Sequence, residues 1–145
     1  MVTNTPIFPQ AISNAALAVV NATSTTITTL LTAGTNGSRV GWINAATSDT
    51  AVNNVTFYLY NGTTSYPIGV IQIPAGSGNT YNVPPISVLN YVNLSTSTQN
   101  FPQFTFDGNG NKFLYLASGW SLQVSVLAAV TSGKQLTLTA QVENF

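Results

Sequence analysis

The sequence predicts an all-β protein, a single-domain antiparallel β-sandwich of jelly-roll or immunoglobulin-like type with 8–10 strands. Three observations predict it. Apolar and polar residues alternate over most of the chain, which is the period of a half-buried strand. The alternating segments are rich in Thr, Val, Ile, Tyr and Phe, which fit a pleated surface. Turn signals separate them at intervals of roughly 8–12 residues, the spacing of sandwiches and barrels. A chain of 145 residues is one domain by length. It can bury a core without staples, and it has no Cys to make them.

The first element is not a strand. Residues 1–9 hold Pro6-Ile7-Phe8-Pro9 and lack alternation. Proline cannot donate to a ladder, so the segment reads as an extended arm ahead of a sandwich domain at 10–145. Asn14–Val20 has a composition a helix could use, although Val19 and Val20 fit a strand. Ser24–Thr32 alternates Thr25, Ile27, Thr29 and Leu31 with Thr26, Thr28 and Leu30. Val40–Asn44 follows the turn Gly34-Thr35-Asn36-Gly37. Val55–Tyr60 places Val55, Phe57 and Leu59 on one face and Thr56, Tyr58 and Tyr60 on the other. Tyr66–Ile73 follows Asn61-Gly62-Thr63-Thr64, and Asn-Gly at 36–37 and 61–62 is a strong hairpin signal.

Ile86–Leu94 is a weaker strand, and residues 95–104 read as a long exposed loop. Phe104-Thr105-Phe106 and Lys112–Leu116 flank Asp107-Gly108-Asn109-Gly110-Asn111. That pentapeptide looks like the start of a calcium loop, but Lys112 stands where such a loop needs Gly and Ser118 where it needs Glu. It reads as a hairpin turn. Trp120, Leu122, Val124, Val126, Ala128 and Val130 share one parity, as do Leu136, Leu138, Ala140 and Val142. With Thr131-Ser132-Gly133-Lys134 between them, the two segments are expected to pair as a C-terminal hairpin. Trp42 and Trp120 are expected in the core. Tyr58 and Tyr60 are either a contact patch or ordinary strand formers.

Composition narrows function. Charged residues are 4% of the chain, against about 25% in ordinary domains. Thr, Asn and Ser make up 50 of the 145 residues. There is no His and no Cys, so the usual nucleophilic triads and zinc, haem or iron–sulfur ligand sets are missing. Three acids leave an Asp49–Asp107 dyad unsupported by any motif. The expectation is no enzyme, no cofactor and no bound metal. Three basic residues cannot make the footprint that nucleic-acid affinity needs, nor one that draws the chain to an anionic membrane. No signal peptide or membrane span is apparent, so synthesis in a cytoplasm is expected. Five Asn-X-Ser/Thr triplets are what 34 Ser and Thr produce by chance. Lys112 and Lys134 lie at turns, which suits solvated lysines rather than an isopeptide bond.

Several stretches together resemble a family of short structural proteins of tailed bacteriophages. They are Gly34–Val40, Asn44–Asp49, Val55–Gly62, Ile73–Gly78, Asp107–Leu116, Gly119–Leu122 and Ala129–Lys134. The resemblance covers about residues 30–145 and leaves the arm outside it. It implies a virion component of the capsid decoration, or cement, type, bound in many copies to the outer capsid surface and made in a bacterial host. The implied partners are the major capsid protein and further copies of the chain, as a dimer or trimer. No active site comes with the resemblance. The alternative is a glycan- or receptor-binding sandwich of a tail or fibre, for which Tyr58, Tyr60, Tyr66 and Tyr81 are the candidate contacts. For the first reading the contact residues are Pro6, Ile7, Phe8, Pro9, Tyr58 and Tyr60. The arm either reaches a neighbouring subunit or folds back over its own core.

Overall fold

Alternation becomes strand wherever an inner face is available to bury it. A computed structural model describes residues 8–91, 105–106 and 108–145. Among them the strands are β1 (Ala11–Val20), β2 (Thr28–Thr32), β3 (Ser38–Thr47), β4 (Asn53–Tyr60), β5 (Ser65–Ile73), β6 (Ile86–Ser87), β7 (Thr105–Phe106), β8 (Lys112–Leu116), β9 (Ser121–Val126) and β10 (Gln135–Asn144). One 3₁₀ turn, Asn21–Thr23, follows β1. All pairings are antiparallel, and two sheets form. Sheet A has the order β1-β10-β3-β8-β7, with β6 also on β3; sheet B has the order β2-β9-β4-β5.

The chain changes sheet at most of the connections between the described strands. It runs A, B, A, B through β1–β4, makes the hairpin β4–β5, and returns to sheet A for β6–β8. It then crosses to β9 in sheet B and back to β10 in sheet A. With β6–β8 counted as one position, the orders are 1-8-3-6 and 2-7-4-5, the jelly-roll arrangement. The core lies between the sheets. Val40, Ile43, Leu136 and Leu138 enter it from sheet A, and Val55, Phe57, Ile71, Leu122 and Val124 from sheet B.

The expected C-terminal hairpin is not formed. β9 pairs with β2 and β4, whereas β10 pairs with β1 and β3. Both strands carry the predicted inner face, but those faces meet across the core from opposite sheets. The strand before the turn ends at Val126, not Val130. Leu127 is held by a bond from its N–H to the Asn54 carbonyl (2.9 Å), and Val130 by one from its N–H to Ser24 Oγ (2.9 Å). Asn36-Gly37 likewise connects β2 to β3 across the sheets rather than closing a hairpin. Asn61-Gly62 does close one, with Tyr60 paired to Ser65, and β7 and β8, on either side of the expected turn, pair with each other.

Other expectations shift at their edges. The Asn14–Val20 segment is strand, within β1. The Ser24–Thr32 strand begins only at Thr28, because Ser24 is buried and bound. Its hydroxyl donates to the Val20 carbonyl (2.7 Å), and its own carbonyl takes the Val126 N–H (2.7 Å). The Ile86–Leu94 segment is strand only at Ile86–Ser87, and its end lies outside the described residues. Trp120 is half-buried in the turn before β9, its carbonyl accepting the Ala33 N–H (2.9 Å). Trp120→Ala is therefore expected to cost about 1–3 kcal/mol, less than a fully buried aromatic, by urea denaturation.

The loop from Pro74 to Pro85 is pressed onto β3. Ser77 O accepts the Thr47 N–H at 2.7 Å, and Gly78 has φ +68°. A Cβ on Gly78 would lie 2.8 Å from Ala46 Cβ and 3.0 Å from Pro85 Cβ. Both the close approach and the left-handed backbone require glycine. Gly78→Ala is expected to lower stability by about 1–3 kcal/mol, measured by thermal and chemical denaturation.

Candidate interaction surfaces

The outward residues of sheet A build a broad face with few charges. On β10, Leu136, Leu138, Ala140 and Val142 are buried, so Thr137, Thr139, Gln141 and Glu143 face out. Register sets their neighbours. Ala18, Ala16, Asn14 and Ile12 lie beside them on β1, and Ala46, Asn44, Trp42 and Arg39 on β3. Trp42 is 41% exposed and Ile12 70%. Beyond Arg39 stands Tyr115 of β8, 56% exposed.

Trp42 is thus on the outer face and not in the core. The cause is a bulge: Gln141 pairs with Trp42 and Val142 with Val40, leaving Gly41 unmatched. The extra residue flips parity, so Val40 and Ile43 both point inward and Trp42 points out. The sequence carried a signal for this, since Trp42 has no run of apolar residues at its own parity: Asn44 follows it.

Charge on this face is sparse and paired. Arg39 Nη1 lies 3.7 Å from Glu143 Oε2, with both side chains partly exposed. Such a pair contributes little to stability. The Arg39 guanidinium also lies 4.6 Å from the centre of the Phe113 ring. Phe113 meets Tyr115 edge-on at 4.9 Å, and Tyr115 meets Phe145 at 6.0 Å.

Tyr58 and Tyr60 share the outer face of sheet B, as the alternation predicts. They are half-buried, and both hydroxyls are engaged. Tyr58 Oη bonds Ser125 Oγ at 3.1 Å, and Tyr60 Oη donates to the Gly62 carbonyl at 2.8 Å. The rest of that face is a ladder of neutral groups. Ser65 Oγ donates to Gln123 Oε1 (2.6 Å), Gln123 Nε2 donates to Thr29 Oγ1 (3.2 Å), and Thr32 Oγ1 bonds Ser121 Oγ (2.9 Å). The four tyrosines do not cluster. Tyr66 pairs with Leu59 and so faces away from Tyr58, while Tyr81 is fully exposed on the Pro74–Pro85 loop.

Of the arm residues, Pro6 and Ile7 lie outside the described residues. Phe8 is 72% exposed, Pro9 is exposed, and neither packs into the core. The chain joins the body at Gln10, whose N–H donates to the Asn144 carbonyl at 2.8 Å. Close to this junction, at the same end of the sandwich, is a cleft of about 390 Å³ lined by Gly37, Ser38, Tyr115, Leu116, Ala117 and Phe145, among others. The opposite end holds a polar cleft of about 280 Å³ between Thr47, Ser48, Asn79, Gln135 and Thr137.

That polar end contains the buried carboxylate. Asp49 is 1% exposed, in the β3–β4 connection. Its Oδ1 accepts the Ala51 N–H (3.1 Å), and its Oδ2 accepts Asn53 Nδ2 (3.0 Å) and the Thr131 N–H (3.0 Å). Its backbone carbonyl accepts the Gly76 N–H at 2.9 Å. Burial pushes its pKa up, but hydrogen bonds from Thr131, Asn53 and Ala51 outweigh it and hold the carboxyl well below the usual carboxylate range. Its side chain thereby ties the β3–β4 connection to the β9–β10 connection, and its backbone carbonyl adds the Pro74–Pro85 loop. The sequence showed an acid in a loop and gave no sign of its burial. Asp107 lies outside the described residues.

No helix among the described residues is long and apolar enough to cross a membrane. No protein-family model and no curated protein matches the chain.

Proposed function

We propose that the chain is a structural virion protein of a tailed phage, of the cement type, which binds the outer capsid in many copies and stabilises it. The outer face of sheet A carries the proposal. It is broad, nearly neutral and rich in small residues, with Trp42, Ile12 and Tyr115 exposed on it. Aromatic residues of this kind anchor protein interfaces. Thr, Asn and Gln beside them offer hydrogen bonds that salt does not screen. The likeness to tailed-phage structural proteins at Gly34–Val40 and Asp107–Leu116 supports the same reading. The mechanism is mechanical. Contacts spread across capsid-subunit boundaries raise the cost of rupture under the pressure of packaged DNA.

Locating the chain on particles tests the proposal. Electron microscopy of virions is expected to show a 15.2 kDa sandwich repeated over the outside of the head. Its absence from the head, or its presence only in the tail, contradicts it. With three basic and three acidic side chains and no His, occupancy is expected to be unchanged between low and molar NaCl, and between pH 8 and 6. Release by moderate salt alone contradicts the neutral mode of attachment.

One observation favours the alternative, a glycan-binding module of a tail or fibre. Trp42 lies beside Gln141, with Asn14 and Asn44 on the same face, and a flat ring among amides suits a sugar. In that case oligosaccharides shift Trp fluorescence, and Trp42→Ala removes the shift.

A further inference from the structure

We infer that the apolar cleft beside the C-terminus receives Phe8 from the arm of a second copy of this chain. The inference does not depend on the cement reading, because self-association is measured on the isolated protein. Three observations carry it.

The first is chemical match. Tyr115 and Phe145, 6.0 Å apart and tilted by 44°, form aromatic walls; Leu116, Ala117 and Gly37 add apolar surface, and the polar Asn36 and Ser38 complete the lining. Phe8 is followed by Pro9 and preceded in sequence by Pro6-Ile7. Aromatic-lined grooves recognise proline-flanked extended segments, because little entropy is lost on docking. The cleft, about 390 Å³, is at the small end of ligand sites, which suits one or two side chains.

The second is exposure. Phe8 is 72% exposed, so it fills neither its own core nor its own cleft. A bulky aromatic left in water gains nothing, whereas seated among rings it buries about 150–250 Å². The third is placement. The arm joins the body where Gln10 bonds Asn144, one residue before Phe145 of the cleft wall. Donor and acceptor therefore sit at one end of the sandwich, so two copies meeting there can exchange arms reciprocally, and a ring of copies can pass them around. Phe8 stands two residues before the anchored Gln10, so it projects about 7 Å at most, and donor and cleft meet only where two copies abut at this end.

The test uses the absence of Cys. Pro9→Cys and Ala117→Cys, both at exposed positions, are made in separate chains, which are mixed and oxidised. A disulfide-linked heterodimer is expected, in excess of either homodimer. A chain carrying both substitutions is expected to give linked dimers or larger species on a non-reducing gel. If the double variant forms only an internal bridge, the arm serves its own cleft and the inference is overturned. Absence of any bridge overturns it as well. Phe8→Ala provides an independent arm. It is expected to weaken self-association by about tenfold or more, by sedimentation, while the monomer melts within about 2 °C of the parent. A large fall in melting temperature with association intact assigns Phe8 to the core and overturns the inference.

Discussion

Asp49→Ala is expected to lower the free energy of unfolding by about 3–5 kcal/mol at pH 7, since three N–H donors, that of Asn53 buried and those of Ala51 and Thr131 partly so, then lose their acceptor. Asp49→Asn keeps the shape and costs about 2–4 kcal/mol, because an amide N–H₂ must face a donor at one of the two oxygens. The pH dependence follows from the depressed pKa of the folded state. Unfolded, the carboxyl titrates near the ordinary value of about 3.9. Above about pH 5 both states are ionised and the stabilisation is complete. As pH falls through the ordinary value toward the folded one, the unfolded chain takes up the proton first and the stabilisation drains away. The gap between the wild type and Asp49→Asn should therefore be constant from pH 8 to about 5 and narrow below about pH 4. Urea denaturation along a pH series measures it. A gap that widens in acid contradicts the assignment.

Phe57→Ala is expected to cost about 3–5 kcal/mol. Phe57 is fully buried at the middle of sheet B, paired with Gly69 on one side and Val124 on the other. Its removal leaves a void that two hydrogen-bonded neighbours cannot close by moving inward. Trp42→Ala is the counterpart on the other surface. It removes a larger aromatic, yet its cost to stability is expected below about 1 kcal/mol, since the ring stands on the solvent side of a bulge. Measured together, the pair separates core from contact surface without reference to any partner.

The sequence specified strands well because a period of two is written in each residue's own polarity. Lys112–Leu116 is found at its expected bounds, and Val55–Tyr60 and Tyr66–Ile73 within one or two residues. Tyr58 and Tyr60 share the expected face for the same reason. What alternation cannot encode is which sheet a strand joins. β9 and β10 each present an apolar face, and both a hairpin and a crossing between sheets need a polar turn. The eight residues between Val126 and Gln135 are too many for a tight hairpin. They are held instead by Ser24, Asn54 and Asp49, partners distant in sequence. Trp42 was misplaced by a bulge that a lone Gly41 announces only weakly. The burial of Asp49 is not legible in the sequence because it depends on donors brought by two separate connections, Ala51 and Asn53 from its own and Thr131 from the one between β9 and β10.

The central claim is that sheet A's outer face attaches the chain through neutral contacts centred on Trp42. Its most direct measurement is a binding isotherm to shells stripped of the chain, for the wild type and Trp42→Ser, at low and at molar NaCl. The account predicts a wild-type Kd that stays within about threefold across that range, where six phosphate-like ionic contacts would cost about 10³-fold or more. It predicts binding about 30-fold weaker for Trp42→Ser at either salt concentration. A Kd that rises steeply with salt, or a Trp42→Ser chain that binds as the wild type does, contradicts it.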